Sequence, residues 1–278
     1  MAKMDIRLIA LDMDGTALKN DWGISAGTLE IIAKALAAGI HVVPATGRTL
    51  SEIPDEILDL PGMRYAIVSN GASVMDLESG EEIYADHLPF EAARKMFDVL
   101  FEENLAFETY SDGLSFSDER HMAEILRFFG SLGKNFACLV ERMRFVQNLP
   151  AYFEKSQKNI EKIYVHYLEE PSRIRLESIA KETPSVITTY SNHLNMEINS
   201  ATANKGAGLL QLCRGLGIEP EHVMAFGDGN NDLHMLAFAG FPVAMGNAVL
   251  QAKQLASYVT VSNEADGVVV AMRKFLQM

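Results

Sequence analysis

Aspartates occupy the positions in this sequence best suited to carry out a reaction. Asp12 and Asp14 stand in Asp12-Met13-Asp14-Gly15-Thr16, and Asp228 and Asp232 in Gly227-Asp228-Gly229-Asn230-Asn231-Asp232. Gathered in one small pocket, these carboxylates carry more negative charge than it can hold unpaired. Hard oxygen donors at that density call for a divalent cation, and a site of few carboxylates shared with phosphate suits Mg²⁺. Two further motifs favour anions. Thr46-Gly47-Arg48 offers a hydroxyl and a backbone amide to phosphate oxygens, and Asn204-Lys205-Gly206 sets an ammonium at the start of a helix. Asp12 then reads as a nucleophile whose attack on phosphorus gives an aspartyl phosphate. Mg²⁺ and Lys205 would offset charge on the transferring group. A leaving alkoxide needs a proton, and the water that later cleaves the acyl phosphate must lose one; Asp14 is placed for both. Burial and neighbouring carboxylates raise its pKa while Mg²⁺ lowers it, and the sequence leaves that balance open.

Such motifs converge only if a parallel sheet presents them at one edge, because ligands bind beyond the carboxyl ends of its strands. Arg7–Leu11 is a nearly continuous apolar run, the pattern of a strand buried on both faces, and it ends at Asp12. Ser25 opens a helical pattern with Leu29, Ile32, Ala33, Leu36 and Ala37 on one side, and Gly39 stops it. Ile40–Val43 is a second strand, leading through Pro44-Ala45 to Thr46. Proline cannot donate to a sheet ladder, so the end of that strand is left open. Tyr65–Val68 is a third, ending at Ser69-Asn70-Gly71. Late in the chain a helix over Lys205–Leu216 precedes strands at Val223–Phe226, Phe241–Met245 and Tyr258–Thr260. This alternation is βαβ rhythm.

The middle differs. In segments such as Lys162-Ile163-Tyr164-Val165-His166-Tyr167 apolar and polar residues alternate, the mark of a sheet with one wet face. Helices are expected at Phe90–Glu103 and Glu119–Phe129, with Pro171 in the first turn of a third. The fold expected is α/β: a Rossmann-like parallel-sheet core over residues 1–85 and 190–278, interrupted by an α+β insertion over 86–189. An insertion of about 100 residues is domain-sized.

Composition agrees. The 278 residues are 48% hydrophobic and 22% charged, enough for a core without staples. At ~150 residues per domain, length alone favours roughly two domains. Lys and Arg number 24 against 37 Asp and Glu, a net charge of −13, which disfavours a nucleic-acid partner. The 2 cysteines lack Cys-x-x-Cys spacing, so a zinc site or disulfide framework is not expected and a reducing compartment fits. The first residues turn acidic too soon for a signal peptide, and no apolar run approaches the ~18 residues of a membrane span. A soluble, cytoplasmic protein is expected. Neither a P-loop nor the third glycine of a dinucleotide fingerprint is present.

Asp12-Met13-Asp14-Gly15-Thr16, Thr46-Gly47-Arg48, Asn204-Lys205-Gly206 and Gly227–Asp232, in that order and each at a strand or helix end, resemble the four motifs of the haloacid dehalogenase-like superfamily. The insertion resembles the large α/β cap of its Cof-type phosphatase branch. The resemblance implies that Asp12 is nucleophile and Mg²⁺ ligand. Asp14 would be general acid/base and ligate through its backbone carbonyl, with Asp228 a direct ligand and Asp232 in or near the outer shell. It also implies that Met13 contributes backbone contact to phosphate, and that Thr46, Gly47, Lys205 and Asn231 bind phosphate oxygens. Members usually hydrolyse small phosphorylated metabolites, often sugar phosphates.

Plainer readings stand beside these. Asp232 also suits a first-turn aspartate favouring a helix dipole. Ser69-Asn70-Gly71 is either a substrate or hinge contact or a structural turn. Arg48 either steers anions or pairs with an acidic neighbour. In the insertion, Tyr110, Asp112, Asn192 and His193 lie near expected strand ends, as substrate-selecting or simply exposed loop residues. The same core also serves a phosphomutase or phosphotransferase, or a non-enzymatic phospho-acceptor module. The physiological substrate and the oligomeric state are not written in the sequence.

Overall fold

A computed structural model describes residues 4–132, 137–166, 169–190 and 195–277 of the chain. Two compact units emerge, one of residues 1–47, 53–85 and 204–278, the other of residues 48–52 and 86–203.

The first unit begins with β1 (Leu8–Leu11), buried at every position as its unbroken apolar run requires. In α1 (Ala26–Ala37) the Ser25 hydroxyl accepts the Thr28 amide, and Gly39 leaves the helix at a φ of +81°. β2 (His41–Pro44) pairs in parallel with β1. His41 and Ala45 donate to the Arg7 and Leu11 carbonyls of that neighbour, both at 2.9 Å. The missing amide of Pro44 therefore falls on the opposite edge, where pairing begins only at the Ala45–Ile67 bridge. Proline costs the strand nothing there, which settles its end. A single turn, α2 (Asp55–Leu58), leads to β3 (Tyr65–Val68), β4 (Ser73–Asp76) and β5 (Glu81–Ala85), an antiparallel meander. Its last two strands were not expected; β5 is largely exposed and carries Glu81 and Glu82, so it lacks an apolar signature.

The second unit runs through α3 (Phe90–Glu102), β6 (Phe107–Ser111), β7 (Leu114–Asp118), α4 (Met122–Leu132), α5 (Ala137–Arg142) and β8 (Arg144–Val146). It continues through α6 (Leu149–Ser156), β9 (Lys162–Val165), α7 (Glu170–Lys181), β10 (Val186–Thr189) and β11 (Met196–Ser200). Pro171 lies in the first turn of α7, as expected. Its six strands lie in the order β10-β11-β9-β6-β7-β8, antiparallel except for β7 with β8. β11, beyond the expected boundary at residue 190, is hydrogen-bonded inside this sheet. Phe107, Phe116, Ile163, Val165 and Ile198 turn one face toward Phe97 and Phe153 of the helices. Each such buried side chain contributes ~1.5–3 kcal/mol.

The alternation does hold on the other face, but that face is not wet. Glu108, Lys162, Glu197 and Asn199 are all buried. Buried charge requires a partner, and Lys162 meets Glu197 at 3.3 Å while His166 meets Glu108 at 2.7 Å. The Ser115 hydroxyl also donates to Glu108, and Phe128 of α4 sets its ring edge against His166.

Back in the first unit, α8 (Lys205–Leu216), β12 (Val223–Gly227), α9 (Leu233–Phe238), β13 (Phe241–Ala244), α10 (Leu250–Leu255), β14 (Tyr258–Val259) and α11 (Gly267–Leu276) complete the parallel sheet. Its order is β14-β13-β12-β1-β2. From β1 the chain builds outward to β2 on one side and, much later, from β12 to β14 on the other. The strand order reverses between β1 and β12, the place where open α/β sheets bind ligands. The fold is thus a parallel-sheet α/β core with an inserted α+β domain. Among the described residues no helix is long and apolar enough to cross a membrane.

Candidate active site

Asp12 follows the last residue of β1 and donates its amide to Phe226 of β12 at 3.1 Å, so it leaves the sheet at the reversal point. The loop behind it turns tightly, with the Leu18 amide returning to the Met13 carbonyl at 2.9 Å and Gly15 at a φ of +75°. Gly15 is also required for space: a Cβ there would meet the Asp228 carboxylate at 2.4 Å. Met13 is fully buried, whereas Asp14 is exposed.

Lys205 comes from the first turn of α8, whose start is fixed by the Asn204 side chain accepting the Ala207 amide at 2.9 Å. Its ammonium is fully buried, 2.6 Å from Asp12 Oδ1 and 2.6 Å from Asp232 Oδ1. The other oxygen of Asp232 accepts the Asp228 and Gly229 amides at 2.8 and 2.9 Å. Both oxygens of Asp232 are thus engaged, and the residue ties the β12 loop to Lys205. Asp228 accepts the Thr16 hydroxyl at 3.3 Å. Among the described residues, Asp12, Asp228 and Asp232 form a carboxylate group whose ligand oxygens lie within 4.8 Å of one another; Asp14 lies outside it.

Three carboxylates against one ammonium leave a deficit of positive charge, and the pKa values register it. Burial, then the Asp232 charge, pushes Asp12 well above the ordinary carboxylate range against the pull of Lys205. Asp228 is pushed up to about 6 by burial and by Asp232. Burial presses Lys205 down, but the Asp12 and Asp232 charges outweigh it and hold the ammonium protonated. Close, hard oxygen donors with unmet charge fit a divalent cation.

The remaining candidates gather beside this centre. Leu11 pairs with Pro44, so Thr46 and Gly47 leave β2 at the edge where Asp12 leaves β1. The buried Thr46 passes its carbonyl to the Asn70 amide at 2.9 Å, and the Asn231 side chain donates to Asn70 Oδ1 at 3.2 Å. Asn70 sits in the left-handed region at a φ of +57°, in the turn after β3. Next to it, Gly71 admits the start of α8, since a Cβ would lie 2.2 Å from the Asn204 carbonyl. The turn Ser69-Asn70-Gly71 thus has a structural task.

Other expectations resolve differently. Arg48 is buried and donates to the Glu52 carbonyl at 3.0 Å, inside the second unit. Asp112 and Gly113, at φ of +51° and +71°, form the two-residue hairpin turn between β6 and β7, which needs both in the left-handed region. Asp112 also pairs with Lys158. Tyr110 is buried, with the Lys162 ammonium 4.7 Å from its ring centre. Asn192 and His193 lie outside the described residues.

Two asparagines at the site were not singled out from sequence. Asn247 donates to Gly15 O at 2.8 Å and Asp228 Oδ2 at 3.2 Å, and the Asn263 amide donates to Asn247 Oδ1 at 3.0 Å. Asn247 follows β13 in Met245-Gly246-Asn247-Ala248, so asking of β13 what it ends with would have found it.

Residues 9–272 match the haloacid dehalogenase-like hydrolase family. The chain belongs to that family. It is similar to the 5-amino-6-(5-phospho-D-ribitylamino)uracil phosphatase YcsE of Bacillus subtilis, with 31% identity over 98% of this chain and 97% of that protein. It is also similar to the HMP-PP phosphatase of Serratia proteamaculans, with 28% identity over 95% of this chain and 93% of that one. Among solved structures, a haloalkanoate-superfamily phosphatase of Bacteroides thetaiotaomicron superposes with a TM-score of 0.79 at 26% identity, covering 99% of this chain and 96% of its own. Within this hydrolase family, the full-length relatives place the chain among its phosphatases.

Proposed function

We propose that this haloacid dehalogenase-like phosphatase hydrolyses small phosphate monoesters, of sugar-like or related metabolites, through an aspartyl phosphate on Asp12. The observation that carries this reading is the buried contact of Lys205 with Asp12 and Asp232, beside Asp228, at the strand-order reversal. Mg²⁺ would be held by Asp12, Asp228 and the backbone carbonyl of Asp14, and it supplies charge neutralisation for the transferring phosphoryl group. Asp232 keeps both oxygens on Lys205 and the β12 loop, so its part is to brace the site.

In the first step an oxygen of Asp12 bonds to phosphorus and the phosphorus–alkoxide bond breaks. Asp14 gives its proton to the departing alkoxide. Lys205 stays protonated and offsets charge beside the nucleophile. Thr46, Gly47, Asn231 and the Met13 backbone hold the phosphoryl oxygens by hydrogen bonds and fix the line of attack. In the second step Asp14 takes a proton from water, whose oxygen attacks phosphorus. Inorganic phosphate departs and the Asp12 carboxylate is restored, so the sum is ester plus water to alcohol plus phosphate.

The ribityl phosphate named for the Bacillus subtilis relative supports a sugar-type monoester as the substrate class. A panel of sugar, polyol, nucleotide and cofactor monoesters, assayed for phosphate release with Mg²⁺ and with chelator, tests the reading. Metal-dependent release is expected, best on one polyhydroxylated ester. Release that persists in chelator would overturn the metal role, and transfer of phosphate to a second sugar instead of water would make the enzyme a phosphotransferase.

A further inference from the structure

We infer that Asn247 is a positioning residue that sets the Asp228 carboxylate and the Asp14–Gly15 backbone for cation binding. The inference rests on the metal-assisted reading above and adds a residue that neither motif nor resemblance supplied. The segment carrying Asn247 is stitched to the β12 loop on both sides of it. The Met245 amide donates to Gly227 O at 3.1 Å, and the Val249 amide donates to Asp228 O at 2.8 Å. Between these anchors the Asn247 side chain spends both N–H bonds on the site, one on Gly15 O and one on Asp228 Oδ2.

The orientation of that amide is fixed from behind. Its oxygen accepts the Asn263 amide, so its nitrogen must face Asp228 and Gly15. Asn263 is itself buried, with its side chain donating to Leu18 O at 2.9 Å and Asn20 Oδ1 at 3.1 Å. Asn247 therefore joins the two loops that carry Asp14 and Asp228, which also meet through the 3.3 Å Thr16–Asp228 bond and the close approach of Gly15. With Thr16 donating to Oδ1 and Asn247 to Oδ2, the Asp228 carboxylate is held against rotation. Groups that orient a metal-binding carboxylate in this way typically change metal affinity by ~10–100-fold when removed.

The experiment measures Mg²⁺ binding to the wild type and to Asn247→Ala by titration calorimetry without substrate. The melting midpoint of each protein is recorded in chelator, and kcat and KM at saturating Mg²⁺. Asn247 is exposed, so the alanine variant is expected to fold, with at most a small fall of the midpoint in chelator from the lost Asn263 contact. Mg²⁺ affinity should fall by ~10–100-fold, and saturating Mg²⁺ should restore most of kcat. Unchanged affinity in the variant, beside tight binding by the wild type, would overturn the role of Asn247 alone. A lowered midpoint in chelator with unchanged affinity would make Asn247 a fold residue and also overturn it. A wild type that binds no Mg²⁺ would overturn both this inference and the metal reading beneath it.

Discussion

Lys205 holds its ammonium 2.6 Å from Asp12 across 193 residues of sequence, at the one place in the core sheet where strand order reverses. Without that cation, Asp12 and Asp232 would face each other as buried charges.

Removing it should therefore cost stability. Lys205→Met leaves two buried carboxylates uncompensated, a loss of ~3–5 kcal/mol for a broken buried pair. Urea unfolding at neutral pH should show it, and the deficit should shrink as pH falls and the carboxylates take up protons. Equal stability of the two proteins would mean that Lys205 does not offset the charge of Asp12 and Asp232.

Asp12→Asn keeps the shape of the side chain and one hydrogen-bond acceptor toward Lys205. Folding should survive, while phosphate release falls by at least ~10³-fold, since an amide is no nucleophile toward phosphorus. Circular dichroism and a phosphate assay on the same preparation check both halves.

Binding of Mg²⁺ should stabilise the native state, by about 2.7 kcal/mol at a hundredfold excess over Kd. Asp228 has a pKa near 6, so protons compete with the cation below that pH. The rise in melting midpoint on adding Mg²⁺ should be larger at pH 7.5 than at pH 5.5, and should be lost in Asp228→Asn.

In the second unit, burial and the Glu108 charge raise Glu52 from 4.5 to about 7. A carboxyl with a raised native pKa stabilises fully below its unfolded value, and that contribution is lost as pH rises through the native value. Unfolding free energy should thus decline between about pH 4.5 and 7, by ~1–3 kcal/mol. The slope should flatten in Glu52→Gln, as read from urea midpoints across that range.

The core was legible because buried parallel strands write unbroken apolar runs, and each run ended in polar residues that the fold places together. Ser25 and Gly39 marked the ends of α1 through capping and left-handed backbone, which act locally. The β4–β5 hairpin was not legible, because a largely exposed strand such as β5 carries no pattern of its own. The polar face of the second sheet was misjudged for a different reason: alternation shows which side chains share a face but not whether they are covered. Lys162 and Glu197, paired across β9 and β11, resolve only when the strands are in register. Asn247 and Asn263 escaped notice because a single asparagine in a loop after a strand resembles any turn residue.

The 193-residue separation of Asp12 and Lys205 also sets a timetable. At a ribosomal pace of ~5–20 residues per second, Asp12 waits roughly 10–40 s for its ammonium partner. The inserted domain emerges within that interval and can fold first, while the nascent β1 still lacks its neighbour β12. Lys205, Asp228 and Asp232 all belong to the last third of the chain, so the acidic loop after β1 stays idle until translation has passed the loop after β12.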